Sequence, residues 1–263
     1  MAERTGYAPG TPSWVDCGTP DPEAARAFYT ELFGWTAKIG PPETGGYTTF
    51  RLRGKAVAGL YGYDERMRQT GAPPGWTTYI ASADADGAAT AIGDAGGTVL
   101  VGPVDVLDMG RMLLARDPAG AVFGVWQAGR HTGAQLVDET GALCRSELYV
   151  RDIGEAERFY TQVFGWTYEP MDIGGPQYRT AKASDAVVCG VFEMDASFPP
   201  DVPPNWLPYF AVEYTDAAAG LTTQRGGHLY SEPMETSFGR FAILGDPQDV
   251  PFAVIQPAPT SAE

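Results

Sequence analysis

Two carboxylates occupy matching places in the chain. Asp16 lies in SWVDCGT and Glu147 in LCRSELYV, 131 residues later, and each precedes by five residues an aspartate, Asp21 or Asp152, that can open a helix. A carboxylate withdrawn from water has its acidity weakened, and can then give or take a proton near neutral pH as a general acid or base. The same residues also suit plain ion pairs, Arg145 with Glu147 or Asp16 with a neighbouring arginine, and both readings stay open. Arg111 and Arg240 each follow a glycine in a repeated Gly-Arg pair; they suit bidentate binding of an anion or carbonyl, or pinning of the turn that follows. Trp14, Tyr79 and Trp126 early in the chain, and Tyr149, Tyr209 and Phe252 later, lie on strand candidates. Aromatic walls suit a flat conjugated ligand, though such rings also simply fill cores.

Other chemistry is poorly provided for. The three cysteines, Cys17, Cys144 and Cys189, form no CxxC pair and have no evident histidine base. The two histidines, His131 and His228, read as surface or hydrogen-bonded structural residues. GxSxG, GxxxxGK[ST] and HExxH are absent, as is GxGxxG after a strand.

The elements that must position these residues are repeated. FYTELFGW (Phe28 to Trp35) returns as FYTQVFGW (Phe159 to Trp166). Trp76 matches Trp206, the Gly-Gly pair at 96 matches that at 226, Gly110-Arg111 matches Gly239-Arg240, and Asp117-Pro118 matches Asp246-Pro247. A nearly constant offset means two homologous halves, which we place at 1–130 and 141–258 with 131–140 as linker. The Pro-rich stretches APPGW and FPPDVPPNW divide each half again, since neither fits a helix interior or a central strand. The first module reads as a strand, then a helix capped by Asp21, with Pro22 at its first position and an apolar stripe of Ala24, Phe28 and Leu32, stopped by Gly34. Its counterpart begins at Asp152 with Ala156, Phe159 and Val163 as the stripe. Trp35, Trp166, Phe28 and Phe159 are read as packing. Three strand candidates follow each helix, so the order strand, helix, three strands recurs four times. The fold class is α+β, with helices on one face of each sheet and the other face left to line a cavity.

Composition sets the outer bounds. At 263 residues and 44% hydrophobic, the chain can bury a substantial core. A formal charge of −15 disfavours nucleic acid and anionic lipid as partners. No stretch approaches a membrane span and the start lacks a hydrophobic signal core, so the expected location is cytoplasmic. The tandem repeat supplies internally the pairing a dimer would give, so a monomeric pseudo-dimer or a homodimer is expected.

The repeated βαβββ unit, with D-x-x-x-A-x-x-F-Y-x-x-x-F-G-W after its first strand and G-R-x-x-x-x-x-D-P-x-G before its last, resembles the vicinal oxygen chelate superfamily. That family includes glyoxalase I, extradiol dioxygenases, fosfomycin resistance enzymes and bleomycin-binding proteins. More narrowly the chain is similar to two-domain actinobacterial glyoxalase-like proteins, some of them from aromatic polyketide pathways. The resemblance implies tandem domains that each close a partial barrel around a cavity. It also implies metal-ligand positions, which here hold Trp14, Thr77 and Gly124 in one half and Arg145, Leu207 and Ala253 in the other. Cys189 is the one conceivable ligand on the remaining strands. None is an ordinary hard-metal ligand, so no metal and no cofactor is expected.

Strand alternation places Asp16 and Glu147 on the face of Trp14 and Arg145, towards the implied cavities. The sequence therefore supports a metal-independent protein that binds a small aromatic natural product for sequestration or carriage, with Trp14, Tyr79, Trp126, Arg145, Tyr149, Tyr209 and Phe252 as contacts. The alternative is a metal-free enzyme of secondary metabolism using Asp16 or Glu147 as general acid/base for isomerisation, ring opening, cyclisation or assisted oxidation.

Overall fold

A computed structural model describes residues 2–71 and 73–258. Each half of the chain builds one large mixed sheet. In the first, Pro12–Thr19 and Gly75–Ala81 run antiparallel at the centre. Lys55–Gly62, Thr48–Leu52 and Thr36–Ile39 extend the sheet on one side, and Val122–Ala128, Gly110–Arg116 and Thr98–Val106 on the other. The second half repeats this around Leu143–Val150 and Asn205–Ala211. Its outer strand is shorter and broken, with His228–Leu229 and Met234–Thr236 both pairing to Gly239–Gly245. Glu232-Pro233 falls in that break, and a proline has no N–H to give a ladder.

The principal helices form where caps and stripes coincide. Pro22–Phe33 begins at Asp21, whose side chain accepts from the Ala24 N–H, and ends at Gly34 with φ 68°. Ile153–Phe164 begins at Asp152, which accepts from the Glu155 N–H, and ends at Gly165 with φ 69°. Ala85–Asp94 and Thr215–Gln224 fill the same role in the other modules. A short helix, Glu65–Thr70, and a single turn at Pro42–Thr44 add to the repeat in the first half. Among the described residues no helix is long and apolar enough to cross a membrane.

The helix-bearing faces of the two sheets meet, and each first helix contributes to a core shared with the other half. Phe28, Tyr29 and Phe33 pack with Phe210, Phe252 and Leu244, while Phe159 and Tyr160 pack with Ile80, Leu113 and Phe123. Burial of this apolar surface is the main force joining the halves. A polar chain runs through each core. Trp76 Nε1 donates to Tyr29 Oη at 3.0 Å, and Tyr29 donates to Asp246 Oδ2 at 2.9 Å. Trp206 Nε1 donates to Tyr160 Oη at 2.9 Å, and Tyr160 donates to Asp117 Oδ2 at 3.0 Å. The repeated tryptophans and Asp-Pro turns thus form paired latches between the halves, satisfying polar atoms that burial would otherwise penalise. Arg111 and Arg240 do not pin the turn that follows them: each grips the first-turn aspartate of its module's helix with two nitrogens, Arg111 on Asp86 at 2.9 and 2.9 Å and Arg240 on Asp216 at 2.6 and 2.8 Å. A third nitrogen of each reaches Asp105 at 2.8 Å or Glu235 at 3.3 Å.

Residues 131–140 lie along the first half. Gln135 N donates to Ala56 O at 2.7 Å, Ala134 N to Ser13 O at 2.8 Å, and Leu136–Val137 pairs with Ala2–Glu3. Ala134, Leu136 and Val137 are buried.

Candidate functional site

The sheet faces turned away from the helices hold most of the candidate residues. In the first half, alternation sends Val15 and Cys17 into the helix-side core and Trp14 and Asp16 to the opposite face. Trp14 lies opposite Tyr79, and Asp16 lies between Thr77 on one neighbouring strand and Gly59 on the other. Gly59 is what lets Tyr47 reach the carboxylate, since a Cβ there would stand 1.8 Å from the phenol oxygen. Tyr47 donates to Asp16 Oδ2 at 3.1 Å and receives the indole N–H of Trp14 at 2.9 Å. Asp16 Oδ1 is buried without a hydrogen-bond partner among the described residues. Burial pushes the Asp16 carboxyl up to about 7, and the Tyr47 and Tyr79 hydroxyls offset part of that rise. The Tyr47 and Tyr79 phenols, themselves raised by burial and by Asp16, stay protonated, and Tyr47 alone of the two makes a hydrogen bond to the acid.

His131 completes this site, and the sequence did not reveal it. Its ring meets Trp14 edge-on with centroids 4.4 Å apart and Trp126 at 5.5 Å, while Trp126 Nε1 donates to the His131 carbonyl at 2.8 Å. Burial and the Arg51 charge lower its pKa to about 4, so it is neutral at pH 7. In the sequence it stands among polar linker residues, and no local pattern marks it. Tyr47 had a readable signal, because Tyr178 follows at the same 131-residue offset as Glu147 follows Asp16.

The second half repeats the frame with other side chains. Glu147 lies between Leu207 and Gly190, and a Cβ on Gly190 would stand 2.0 Å from the Tyr178 oxygen. Tyr178 donates to Glu147 Oε1 at 3.0 Å and Tyr149 to Oε2 at 3.3 Å, so both oxygens are occupied. Tyr149 and Tyr209 share a hydroxyl contact of 2.7 Å. Arg145 takes the place of Trp14, with one nitrogen 3.6 Å from Glu147 Oε1. Phe192 and Phe198 pack beside Tyr149 at 5.1 and 6.1 Å. Neither their part nor that of Phe238 was read from the sequence.

The structure therefore brings Trp14, Asp16, Tyr79 and Trp126 together on one face, and Arg145, Glu147, Tyr149 and Tyr209 on the other. Phe252 does not join them. It points into the helix-side core against Phe28 and Tyr29, at ring distances of 6.1 and 5.6 Å, while its neighbours Ala253 and Ile255 take the helix-free face. The correction is one of strand parity: a single position along a strand reverses the face.

Nucleophilic thiols are also poorly placed. Burial raises Cys17 and Cys189 well above the ordinary range, and Cys144, pushed up to about 12, donates to the Tyr209 carbonyl at 3.2 Å. His228 lies 3.4 Å from Asp249 on the short outer strand, away from both sites.

A divalent metal does not fit the residues present. Among the described residues no three His, Cys, Asp or Glu side chains gather as ligands would. At the position the resemblance assigns to a final ligand, a Cβ on Gly124 would meet the Tyr79 ring at 2.2 Å, so that ring already occupies the space a ligand side chain needs.

Comparison with known proteins agrees with this architecture. A family model described as the Glyoxalase/Bleomycin resistance protein/Dioxygenase superfamily matches residues 12–125. A "Putative glyoxylase CFP32" from Mycobacterium bovis is 43% identical over 98% of this chain and 99% of its own. "Anthracycline biosynthesis protein DnrV" from Streptomyces peucetius is 38% identical over 96% of this chain and 95% of its own. The crystal structure of a Mn(II)-bound glyoxalase from Novosphingobium aromaticivorans shares the fold, with a TM-score of 0.61 at 16% identity over 95% of this chain and 88% of that one. With its βαβββ repeats, tandem sheets and near full-length relatives, the chain belongs to the glyoxalase/bleomycin resistance/dioxygenase superfamily.

Proposed function

We propose that the helix-free face of the first half binds a flat aromatic natural product without a metal, for sequestration or carriage. The observation that carries this reading is Asp16, a buried carboxyl neutral up to pH about 7, with one oxygen unpartnered beside Trp14, Tyr79 and Trp126. A neutral acid donates a hydrogen bond, and the carbonyl or phenol oxygen of a polycyclic quinone is a suitable acceptor. In this reading the ligand takes the place of the His131 ring against Trp14 and stacks on the indoles. The likeness to a protein named for anthracycline biosynthesis supports this ligand class, since anthracyclines carry a planar quinone ring system.

The test is titration of the full chain with 1,4-dihydroxyanthraquinone, followed by quenching of tryptophan fluorescence. Binding in the micromolar range that weakens about tenfold or more in Trp14→Ala is expected, by analogy with stacking anchors elsewhere. Absence of binding below millimolar concentration sinks the proposal.

A second reading has one specific observation behind it. A carboxyl that titrates near 7 can both give and take a proton at neutral pH, so Asp16 suits a general acid/base acting on the bound ring system. Glu147 is less free for that task, having both oxygens held by tyrosines. Under this reading Asp16→Asn abolishes turnover of the natural substrate and leaves binding largely intact; unchanged turnover removes the role.

A further inference from the structure

On the helix-free face of the second half, Arg145 is held in place yet makes almost no use of its donors. Its guanidinium carbon lies 4.7 Å from the centre of the Tyr209 ring and 4.7 Å from that of Phe238, so two aromatic rings fix the group. Among the described residues no atom accepts a hydrogen bond from it, and its Nε is buried without a partner. The contact with Glu147 is long, 3.6 Å from Nη1, and Glu147's oxygens are already taken by Tyr178 and Tyr149. The contrast with other arginines is sharp: Arg111 and Arg240 each spend three nitrogens on carboxylates. Leaving buried donors unpaired is costly, and a fixed, unsatisfied guanidinium fork is the complement of a planar two-oxygen anion. The Arg145 side chain is 21% exposed, which leaves the group an approach from solvent.

We propose that Arg145, clamped by Tyr209 and Phe238, is the anchor of a second ligand site that takes an aromatic carboxylate. The carboxylate approaches the partly exposed guanidinium from solvent and, as it seats, uncovers the buried Nε and gives its N–H an acceptor, and the ligand's ring continues the aromatic wall formed by Tyr209, Phe238 and Phe241. The two helix-free faces then recognise different chemistry, the first a neutral ring system and the second an anion. This site does not depend on what the first half binds.

Calorimetric titration of the full chain with 2-naphthoate and, separately, with 2-naphthamide tests the assignment. The carboxylate is expected to bind about tenfold or more tightly than the amide, the scale of one charge-assisted bidentate contact. The preference disappears in Arg145→Met, shrinks in Arg145→Lys, which keeps the charge and loses the fork, and survives in the distant Arg225→Gln. In the unmutated protein the Arg145 Nε–H resonance shifts on adding 2-naphthoate and stays put on adding 2-naphthamide, which keeps the test valid if a variant fails to fold. Equal affinity for the two compounds, no naphthoate binding up to millimolar concentration, or an unmoved Nε–H signal overturns the site.

Discussion

On the helix-free face of the first half a carboxylate sits beside an indole, and on that of the second half it sits beside a guanidinium. The frames are otherwise closely matched. Asp16 and Glu147 occupy the same register between an antiparallel neighbour and a parallel one, and Gly59 and Gly190 admit a tyrosine hydroxyl in each. The change from Trp14 to Arg145 removes the indole that binds the Tyr47 hydroxyl and introduces a cation 3.6 Å from the acid. Tyr149, where the first half has Gly18, then closes the second oxygen of Glu147, whereas Asp16 keeps one oxygen free. Duplication thus supplied one scaffold twice. Changes at three alternate positions of a single strand, Trp14 to Arg145, Asp16 to Glu147 and Gly18 to Tyr149, set the acid beside an indole in one half and beside a guanidinium and an extra phenol in the other.

The largest expected effect is a pH dependence carried by Asp16. Asp16 rises from 3.8 to about 7 on folding, so between those values the folded chain holds a proton that the unfolded chain has released. Stability from this group is complete below about pH 4 and is lost as pH rises through about 7, a change on the order of 4 kcal/mol at about 1.4 kcal/mol per pH unit. Asp117 and Asp246, also raised by burial, act in the same direction. His131 acts oppositely: lowered from 6.5 to about 4, it costs stability as pH falls through that window. Urea denaturation across pH 4 to 8 should show Asp16→Asn flattening the loss on the alkaline side. His131→Gln should steepen the profile between pH 4 and 6.5 by removing the opposing contribution.

Next in size are Gly59→Ala and Gly190→Ala. A methyl at either position meets a phenol oxygen at 1.8 or 2.0 Å, so the tyrosine must leave the carboxylate. Each should cost about 1–3 kcal/mol in thermal melts, the usual range for overpacking. Comparable losses in the two variants would show that both halves depend on the same device.

Trp14→Arg makes the first half resemble the second. A cation beside Asp16 should move its titration down by about one to three pH units, read from the carboxyl carbon signal in NMR. An unchanged midpoint would show that burial alone, and not the residue at this position, sets the Asp16 titration. The smallest effect is expected from Tyr149→Phe, which removes the hydroxyl contacts to Tyr209 and Glu147. About 1 kcal/mol of stability should be lost, with Trp14-centred fluorescence of the first half unaltered.

Much of this was legible in the residues. The offset that relates FYTELFGW to FYTQVFGW also relates Asp16 to Glu147, so the pairing of the two carboxylates could be read directly. Helix starts at Asp21 and Asp152 follow from local capping chemistry, which depends on residues three apart. Phe252 was misplaced because alternation fixes relative facing along a strand but not its absolute phase, and the phase is set by the partner sheet. His131 escaped notice because its contacts are made by a chain that folds back over Trp14, and nothing within a few residues of it encodes that return.

By itself the sequence determined the two halves, their strand and helix order, the acids at matching positions and the poverty of metal ligands, because repeats, caps and periodicity are local or self-referential signals. Tertiary structure decided the rest. The tyrosines against Asp16 and Glu147, the unpartnered oxygen of one and the idle guanidinium beside the other arise where strands distant in sequence become neighbours. Burial there gives a carboxyl or a guanidinium an acidity and a hydrogen-bonding need that its residue type alone does not have.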